Sequence, residues 1–169
     1  MRWNLSWRSD PRARELADRH YSRRKVGTAQ FVPPGRCLVL YAENENGRAY
    51  WVTSWQLEEY TKHAWAGAWV CSAFRNEGAG LSSELIVEAV AATVWRWEPP
   101  EIGMVTFVDP TKVRKKRDFG RCYRKAGFKE VGKSKDRGLV VLQLLPKDMP
   151  GPVAPNESNM SLFDDAGLS

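Results

Sequence analysis

Apolar and polar positions in the first half of the chain predict a helix followed by a β-hairpin. Residues 10–24 contain helix formers after an Asp10-Pro11 start signal, with a short apolar face, and Pro33-Pro34-Gly35 ends this region. Two β-rich runs then follow, residues 37–41 and residues 49–53, with Asn46-Gly47 between them. Because Asn and Gly favour tight turns, this pattern predicts a β-hairpin.

The second half alternates strand-like and helix-like segments. Residues 68–74 predict a strand, and the apolar positions from Leu81 to Trp97 recur at helical spacing until a Pro-Pro pair. Three further strands are predicted at residues 104–108, 128–131 and 139–145, with a short helix over residues 119–126 that Gly127 caps. This order predicts an α+β fold with α/β-type layers, in which helices flank a mixed central sheet.

The chain length of 169 residues indicates one domain with a substantial core. We assign residues 1–148 to this domain, with a basic helical region at 1–35 and the core at 36–148. The remaining segment, residues 149–169, is rich in Pro, Asn, Ser and Gly, and this composition predicts disorder.

The composition excludes several classes of protein. The three cysteines are widely spaced and odd in number, which argues against a disulfide framework or a paired-thiol zinc site. Two histidines are too few for a His-rich metal cage. No apolar run approaches the roughly 20 residues that span a bilayer, and the first residues do not begin a signal peptide, so we expect a cytoplasmic protein.

The charge is concentrated in two segments. The net charge is +6, and the last 19 residues contain three acids and no base, so the rest of the chain is +9. Nine of the 26 bases lie in residues 1–36 and twelve in residues 112–137. Such segments are typical of a nucleic-acid-binding surface, although two solvated faces are the simpler alternative. The candidate phosphate contacts are Arg19, Arg23, Arg24, Lys25, Lys112, Arg114, Lys115, Lys116 and Arg117.

A glycine pattern, Arg75-Asn76-Glu77-Gly78-Ala79-Gly80, lies between the predicted strand and the long helix. Glycines let the backbone approach a ligand closely, and a helix start offers unpaired amides and a positive dipole end. The pattern alone is also compatible with a turn of no function. Ser82 and Ser83 at the helix start are interpreted first as capping residues, and second as hydrogen-bond partners of a bound phosphate or the active centre.

The segment Tyr123-Arg124-Lys125-Ala126-Gly127-Phe128 and the following residues to Gly132 resemble the Tyr-x-Lys-x-Gly-Phe-x-x-x-Gly segment of the GNAT acyltransferase family. The resemblance covers residues 36–145 and implies a GNAT-like fold. It also implies that the glycine loop holds the pyrophosphate of acetyl-CoA or a related thioester, through Arg75, Gly78, Ala79, Gly80 and Ser82. Tyr123 would then seat the cofactor or act as a general acid. The alternative is a core tyrosine that packs the last helix.

Four short segments resemble the phage Mom family, GNAT-like proteins that convert adenine in double-stranded DNA to N6-carbamoylmethyladenine and so protect phage DNA from host restriction. They are His20-Tyr21-Ser22, Phe31-Val32-Pro33-Pro34-Gly35, Phe74-Arg75-Asn76 and Val108-Asp109-Pro110. The family is associated with bound iron, and the resemblance implies His20, Tyr21 and Asp109 as its ligands. These three, with Tyr123 and Ser83, are the candidate catalytic residues. His20 could instead be a hydrogen-bonded residue at a helix end.

An adenine in a duplex must be extruded before its N6 can react, and an aromatic side chain then holds the flipped base. We single out Trp55 and Trp65 for this role, while most of the tryptophans are expected in the core. The tail segment Asn159-Met160-Ser161-Leu162-Phe163 resembles the peptide that docks on bacterial sliding clamps, or it is an incidental apolar patch. Two rival functions stay open: a conventional N-acetyltransferase acting on a protein, tRNA or small amine, and a non-catalytic nucleic-acid-binding module.

Overall fold

The computed structural model describes residues 1–19, 35–61, 63–112 and 120–157. Within these ranges the fold is α+β, with three α-helices and one seven-stranded mixed sheet of order β1-β2-β3-β4-β5-β7-β6. The strands are β1 (Asn4–Leu5), β2 (Arg36–Asn44), β3 (Gly47–Trp55), β4 (Trp69–Glu77), β5 (Met104–Val108), β6 (Lys129–Lys133) and β7 (Val140–Leu144). The helices are α1 (Pro11–Asp18), α2 (Ser82–Arg96) and α3 (Arg121–Lys125). The predicted α+β class, with helices flanking a mixed central sheet, is therefore confirmed.

The predicted hairpin is β2–β3, paired from Arg36↔Trp55 to Asn44↔Gly47. Its turn differs from the expected one, since no residue of the turn has a positive φ in the described structure. The Asn44 side chain instead accepts hydrogen bonds from the backbone N–H groups of Asn46 and Gly47, at 2.8 and 3.1 Å. Gly47 is needed for packing, because a Cβ there would lie 1.8 Å from the backbone oxygen of Glu77.

Strands β4 and β5 are parallel and pair only from Trp69↔Met104 to Cys71↔Thr106. Beyond Cys71, β4 continues to Glu77 with β3 as its partner. Ser72 is an extra residue on β4 at a register shift opposite Val52 and Thr53, and such a bulge increases the local twist of a strand. The two parallel strands therefore separate toward their carboxyl ends.

Each face of the sheet has its own apolar cluster. Helix α2 packs on one face, where Ile86 and Leu85 meet the fully buried Trp51 and Trp69. Helix α1 covers part of the other face, where Leu16 packs with residues that include Tyr41 and Tyr50. Helix α2 follows the predicted apolar spacing and ends at Arg96, before the Pro-Pro pair. No helix in the described ranges combines the length and apolarity that a membrane crossing requires.

The two ends of the described chain depart from the predictions. The unpredicted strand β1 pairs with β2, and the neighbouring Trp3 is fully buried in the core. The predicted disorder of residues 149–169 is wrong for residues 149–157, because backbone bonds fix this segment: Val153 donates to Ala91 at 3.1 Å and Asn156 donates to Trp3 at 2.9 Å. Residues 158–169, including the clamp-like segment, lie outside the described residues.

Candidate functional site

Beyond Cys71 and Thr106, β4 and β5 are no longer paired with each other, which leaves Ser72–Glu77 on one side and Phe107–Asp109 on the other without ladder bonds between them. We call this region the β4–β5 opening. At its base the Tyr123 hydroxyl lies 3.5 Å from Cys71 Sγ, and Thr106 Oγ1 donates to the Cys71 carbonyl at 3.3 Å. Parallel strands that diverge lose their ladder bonds to each other, so the facing backbone edges become available to a ligand.

Helix α3 carries Tyr123 to the base of this opening. The glycine that follows α3, Gly127, has a φ of +104° and lets the chain turn back into β6. The Tyr123 ring packs edge-on against Phe74 of β4, at 6.4 Å, and against Phe128, at 5.5 Å. This packing fixes the direction of the phenol.

Burial makes both polar groups at the base neutral. Burial, followed by the neighbouring thiols, raises the pKa of Tyr123 well above the ordinary value of a phenol. Burial also raises the pKa of Cys71 to about 12, so its thiol carries no charge at physiological pH. The pair thus offers a neutral proton donor rather than a nucleophilic thiolate. No local sequence pattern indicates that Cys71 lies at this position.

The predicted glycine loop is shorter than expected, because Arg75, Asn76 and Glu77 belong to β4. The turn itself runs from Gly78 to Leu81, and the Asn76 side chain shapes it. Its Oδ1 accepts from the Ala79 N–H at 3.0 Å, and its Nδ2 donates to the Gly80 carbonyl at 2.7 Å and to Ser82 Oγ at 2.9 Å.

Gly78 is required in this turn, because its φ is +92° and a Cβ there would lie 2.8 Å from the backbone oxygen of Asn46. At Gly80 a Cβ would lie 2.7 Å from the Arg2 guanidinium, a flexible group that can move aside. The turn is therefore a tight strand-to-helix connection against two neighbouring segments.

The start of α2 is not capped by the serines. Leu81 occupies the N-cap position and makes no side-chain capping bond, so the capping interpretation of Ser82 and Ser83 is wrong. Ser82 is the partner of Asn76, and Ser83 lines an open groove of about 360 Å³ together with Arg2 and Lys125. The first-turn amides of α2 therefore receive no side-chain cap from the N-cap residue.

Arg2 is a residue of this region that the sequence analysis missed. Its guanidinium contacts Glu84 at 3.3 Å, and its Nε donates to Glu88 at 2.7 Å, beside Gly80. The groove is lined by two cations, Arg2 and Lys125, and by two carboxylates, Glu84 and Glu88, both of which pair with Arg2. Nothing in the spacing of the sequence connects Arg2 to a helix 80 residues away.

The Arg75 side chain lies apart from the Asn76 side chain. Its Nε donates to Glu77 at 2.6 Å and its Nη1 donates to the Arg19 carbonyl at 2.9 Å. Arg19, which is 47% exposed, contacts the same Glu77 carboxylate at 3.3 Å. The end of α1 is thereby held against the carboxyl end of β4. Gly78, Ala79, Gly80 and Ser82 lie in the turn and the first residue of α2, while Arg75 belongs to this ion-pair cluster.

The predicted iron ligands fall partly outside the described residues. Asp109 follows β5 at the mouth of the opening, where its Oδ1 accepts from the Thr111 N–H at 2.9 Å and from Thr111 Oγ1 at 2.6 Å. His20 and Tyr21 are not described, but they directly follow Arg19 in the sequence. Within the described residues no group of three or more His, Cys, Asp or Glu side chains could hold a metal ion.

Most predicted DNA contacts also lie outside the described ranges: Arg23, Arg24, Lys25, Arg114, Lys115, Lys116 and Arg117. Lys112 ends a short 3-10 turn that begins at Pro110, next to Asp109. Arg19 and Lys112 therefore lie on backbone segments at opposite sides of the β4–β5 opening.

The two tryptophans singled out for base stacking are both packed. Trp55 Nε1 donates to the Gly67 carbonyl at 3.0 Å, and its ring packs against Trp69 and Trp97. Trp65 packs against Phe107. His63 Nδ1 accepts from the Trp65 N–H at 3.0 Å, and burial lowers the pKa of His63.

No family model, curated protein or solved structure matches this chain.

Proposed function

We propose that this chain has a GNAT-type fold. The support is topological: parallel β4 and β5 are joined by α2 and separate toward their carboxyl ends, and β7 lies between β5 and β6. The glycine turn lies at the start of the helix that joins the separating strands. Tyr123, the leading residue of the family-like segment, has its hydroxyl at the base of the same opening. These features form one continuous region that suits a thioester cofactor.

We further propose that the enzyme modifies adenine in double-stranded DNA, to N6-carbamoylmethyladenine. One observation carries this proposal: two segments of the Mom-like resemblance, Phe74-Arg75-Asn76 and Val108-Asp109-Pro110, lie on the two sides of one opening although they are far apart in sequence. Arg19, the last described residue before His20, contacts Glu77 on the β4 side. A common opening is what a shared active centre requires.

The roles of the chain's own residues follow from their positions. Tyr123 keeps its proton and is suited to donate it, or a hydrogen bond, at the base of the opening. The turn at Gly78–Ser82 is suited to anchor phosphates. Attack of adenine N6 on a thioester would give an amide, so the carbon-linked product requires chemistry beyond acetyl transfer. An iron ion at His20, Tyr21 and Asp109 would supply a Lewis-acidic or redox centre there.

The two basic segments are suited to supply the phosphate contacts that a DNA substrate requires. Extruding a paired adenine costs a few kcal/mol, and Lys or Arg contacts to phosphates can offset that cost. The net charge of +6, with the bases concentrated in residues 1–36 and 112–137, supports a DNA substrate. Arg19, in the first segment, contacts Glu77 on the β4 side of the opening, and Lys112, which begins the second segment, ends the 3-10 turn that follows Asp109 on the β5 side.

Mass spectrometry of nucleosides from DNA of cells that express the protein tests the proposal. The expected result is a new adenine derivative with the mass increment of a carbamoylmethyl group. Unmodified DNA, with acetylated protein or tRNA in the same cells, would favour the rival acetyltransferase, which the Tyr123 and glycine-turn geometry equally serves. Unmodified DNA together with unmodified protein and tRNA would leave the non-catalytic binding module or an acetyltransferase that acts on a small amine.

A further inference from the structure

A stack of aromatic and guanidinium groups lies at the amino end of β2, away from the glycine turn. The Arg36 guanidinium carbon lies 3.9 Å from the centre of the Trp55 ring. Trp55 packs against Trp97 with ring centres 5.6 Å apart, and the Arg96 guanidinium carbon lies 5.8 Å from the Trp97 ring. Two cations thus flank a pair of tryptophans, in the order Arg36, Trp55, Trp97, Arg96.

These two arginines differ from most of the others in the described structure. Six arginines are held by carboxylates: Arg2, Arg12, Arg19, Arg48, Arg75 and Arg124. Arg36 and Arg96 are both exposed, and neither forms an ion pair with any residue in the described ranges. Their charge is therefore not neutralised locally, although each contacts an aromatic ring.

Stacking leaves the hydrogen-bonding edge of a guanidinium unused. The ring contact orients the planar group through its face, while its N–H donors remain directed outward and match the oxygens of a phosphate. A preoriented guanidinium also loses less conformational freedom on binding than a free side chain. The stack is thus suited to phosphate recognition rather than to a structural ion pair.

The surroundings add positive charge. Arg8 donates to the Gly35 carbonyl at the amino end of β2. Burial raises the pKa of the neighbouring Cys37 thiol, while the Arg8 and Arg96 guanidiniums oppose that rise. Arg8 and Arg96 therefore both lie near the amino end of β2. In sequence, the basic Arg23-Arg24-Lys25 segment leads into this strand.

We propose that the surface formed by Arg36, Arg96, Trp55 and Trp97, the Arg–Trp stack, binds the phosphate backbone of DNA. This inference rests on the proposed function for the identity of the polyanion, and it adds a second contact surface to the basic segments. Strand β2 runs parallel to β4, because both are antiparallel to β3 between them. Arg19 contacts the carboxyl end of β4, whereas the Arg–Trp stack lies at the amino end of β2, the opposite end of the sheet. The stack would therefore hold the duplex at a distance from the reacting base.

The test is fluorescence anisotropy of a labelled DNA duplex against the full chain at several salt concentrations. We expect the R36Q/R96Q double variant to lower the slope of log K against log salt by about 2, since each phosphate contact contributes about 0.9. Binding should weaken roughly a hundredfold at 0.1 M salt and little near 1 M. The R36K/R96K variant, which keeps the charge but not the planar fork, should recover only part of the affinity.

A matched control removes the same charge elsewhere. Lys147 is exposed, lies outside both basic segments and follows β7, toward the opposite edge of the sheet from β2. The K147Q variant should leave the slope nearly unchanged, whereas the single R36Q and R96Q variants should each lower it by about 0.9. Equal losses in K147Q and in the single Arg variants would show that net charge alone matters, and an unchanged slope in R36Q/R96Q would also overturn the proposal.

The readout separates this proposal from the proposed function. Duplex binding that depends on the Arg–Trp stack, in a protein that leaves adenine unmodified, would support the stack and refute the enzyme. Adenine modification with no effect of R36Q/R96Q on duplex affinity would do the reverse. Circular dichroism melts of each variant establish that lost binding is not lost folding.

Discussion

Replacing Asn76 with alanine removes the side chain that shapes the turn between β4 and α2. Three hydrogen bonds disappear together: those to the Ala79 N–H, the Gly80 carbonyl and Ser82 Oγ. Ala79 is 3% exposed, so its amide loses a partner where water has little access. The turn should then sample other conformations, and a ligand that needs this shape must restore it on binding.

The size of the effect follows from these contacts. A neutral hydrogen bond contributes about 0.5–1.5 kcal/mol net, and the three are not additive, so Asn76→Ala should cost about 1–3 kcal/mol of stability. For a domain of this size that lowers Tm by roughly 3–10 °C. If the same ordering cost is met on binding, affinity for CoA falls about 5- to 100-fold, since 1.4 kcal/mol corresponds to a factor of ten.

Isothermal titration calorimetry with CoA, below the Tm of the variant, measures this affinity. Asn156→Ala is the matched control, because it removes one exposed side-chain bond, to the Met1 carbonyl at 2.9 Å, at the β1 edge of the sheet. The control should bind CoA as the parent protein does. Equal CoA affinity in the parent and in Asn76→Ala would refute the assignment of the turn as a phosphate cradle, and so would a parent protein that does not bind CoA.

Three further substitutions test separate parts of the account. Gly78→Ala should lower stability by about 1–3 kcal/mol in a urea titration, because φ is +92° and the new Cβ would lie 2.8 Å from the Asn46 oxygen. Tyr123→Phe should change stability by less than about 1 kcal/mol but reduce activity roughly 100-fold or more, with no loss in the parent from Tyr123 ionisation up to pH 10, since its pKa is raised. Asp10→Asn should cost about 1–3 kcal/mol near neutral pH, because Ser6 and Arg12 bind this fully buried carboxylate.

The stabilisation that the Asp10 carboxylate gives the fold decreases in acid. Burial opposes ionisation, but the hydrogen bonds from Arg12 and Ser6 outweigh it and lower the pKa of Asp10 below its ordinary value. Its stabilisation is therefore complete above about pH 4, the unfolded pKa, and is lost as pH falls through the lower folded value. The gap in stability between parent and Asp10→Asn should narrow below pH 4. A stability difference that widens below pH 4 would contradict the role of Asp10. A Gly78→Ala variant as stable as the parent would contradict the strain at Gly78, and a fully active Tyr123→Phe variant would contradict the role of Tyr123.

Local sequence patterns predicted most of the regular elements. The apolar spacing from Leu81 to Trp97 predicted α2, which spans Ser82–Arg96. The β-rich runs around Asn46-Gly47 predicted the β2–β3 hairpin, although Gly47 is required by its contact with Glu77 rather than by turn geometry. These elements depend on periodicity and turn residues that lie close together in sequence.

The features that the sequence patterns do not predict all depend on tertiary contacts. Strand β1 has two residues, too few for a periodic signal, and forms because β2 offers it an edge. The segment near Val153 has a loop-like composition, but its backbone bonds to α2. The Arg75–Glu77 stretch was interpreted as a loop because of the following glycines, whereas pairing with β3 extends β4 through it. Arg2 and Asn76 act through contacts that no local pattern encodes.

Nucleoside mass spectrometry with site variants tests the central claim, that adenine is modified at the β4–β5 opening. DNA from cells expressing the parent protein should contain an adenine derivative carrying a carbamoylmethyl group. Asp109→Ala and Tyr123→Phe, both produced at parental levels, should reduce it at least tenfold, and Asn156→Ala should leave it unchanged. DNA with no modified adenine in the parent, or a modification that persists in both site variants, would contradict the account.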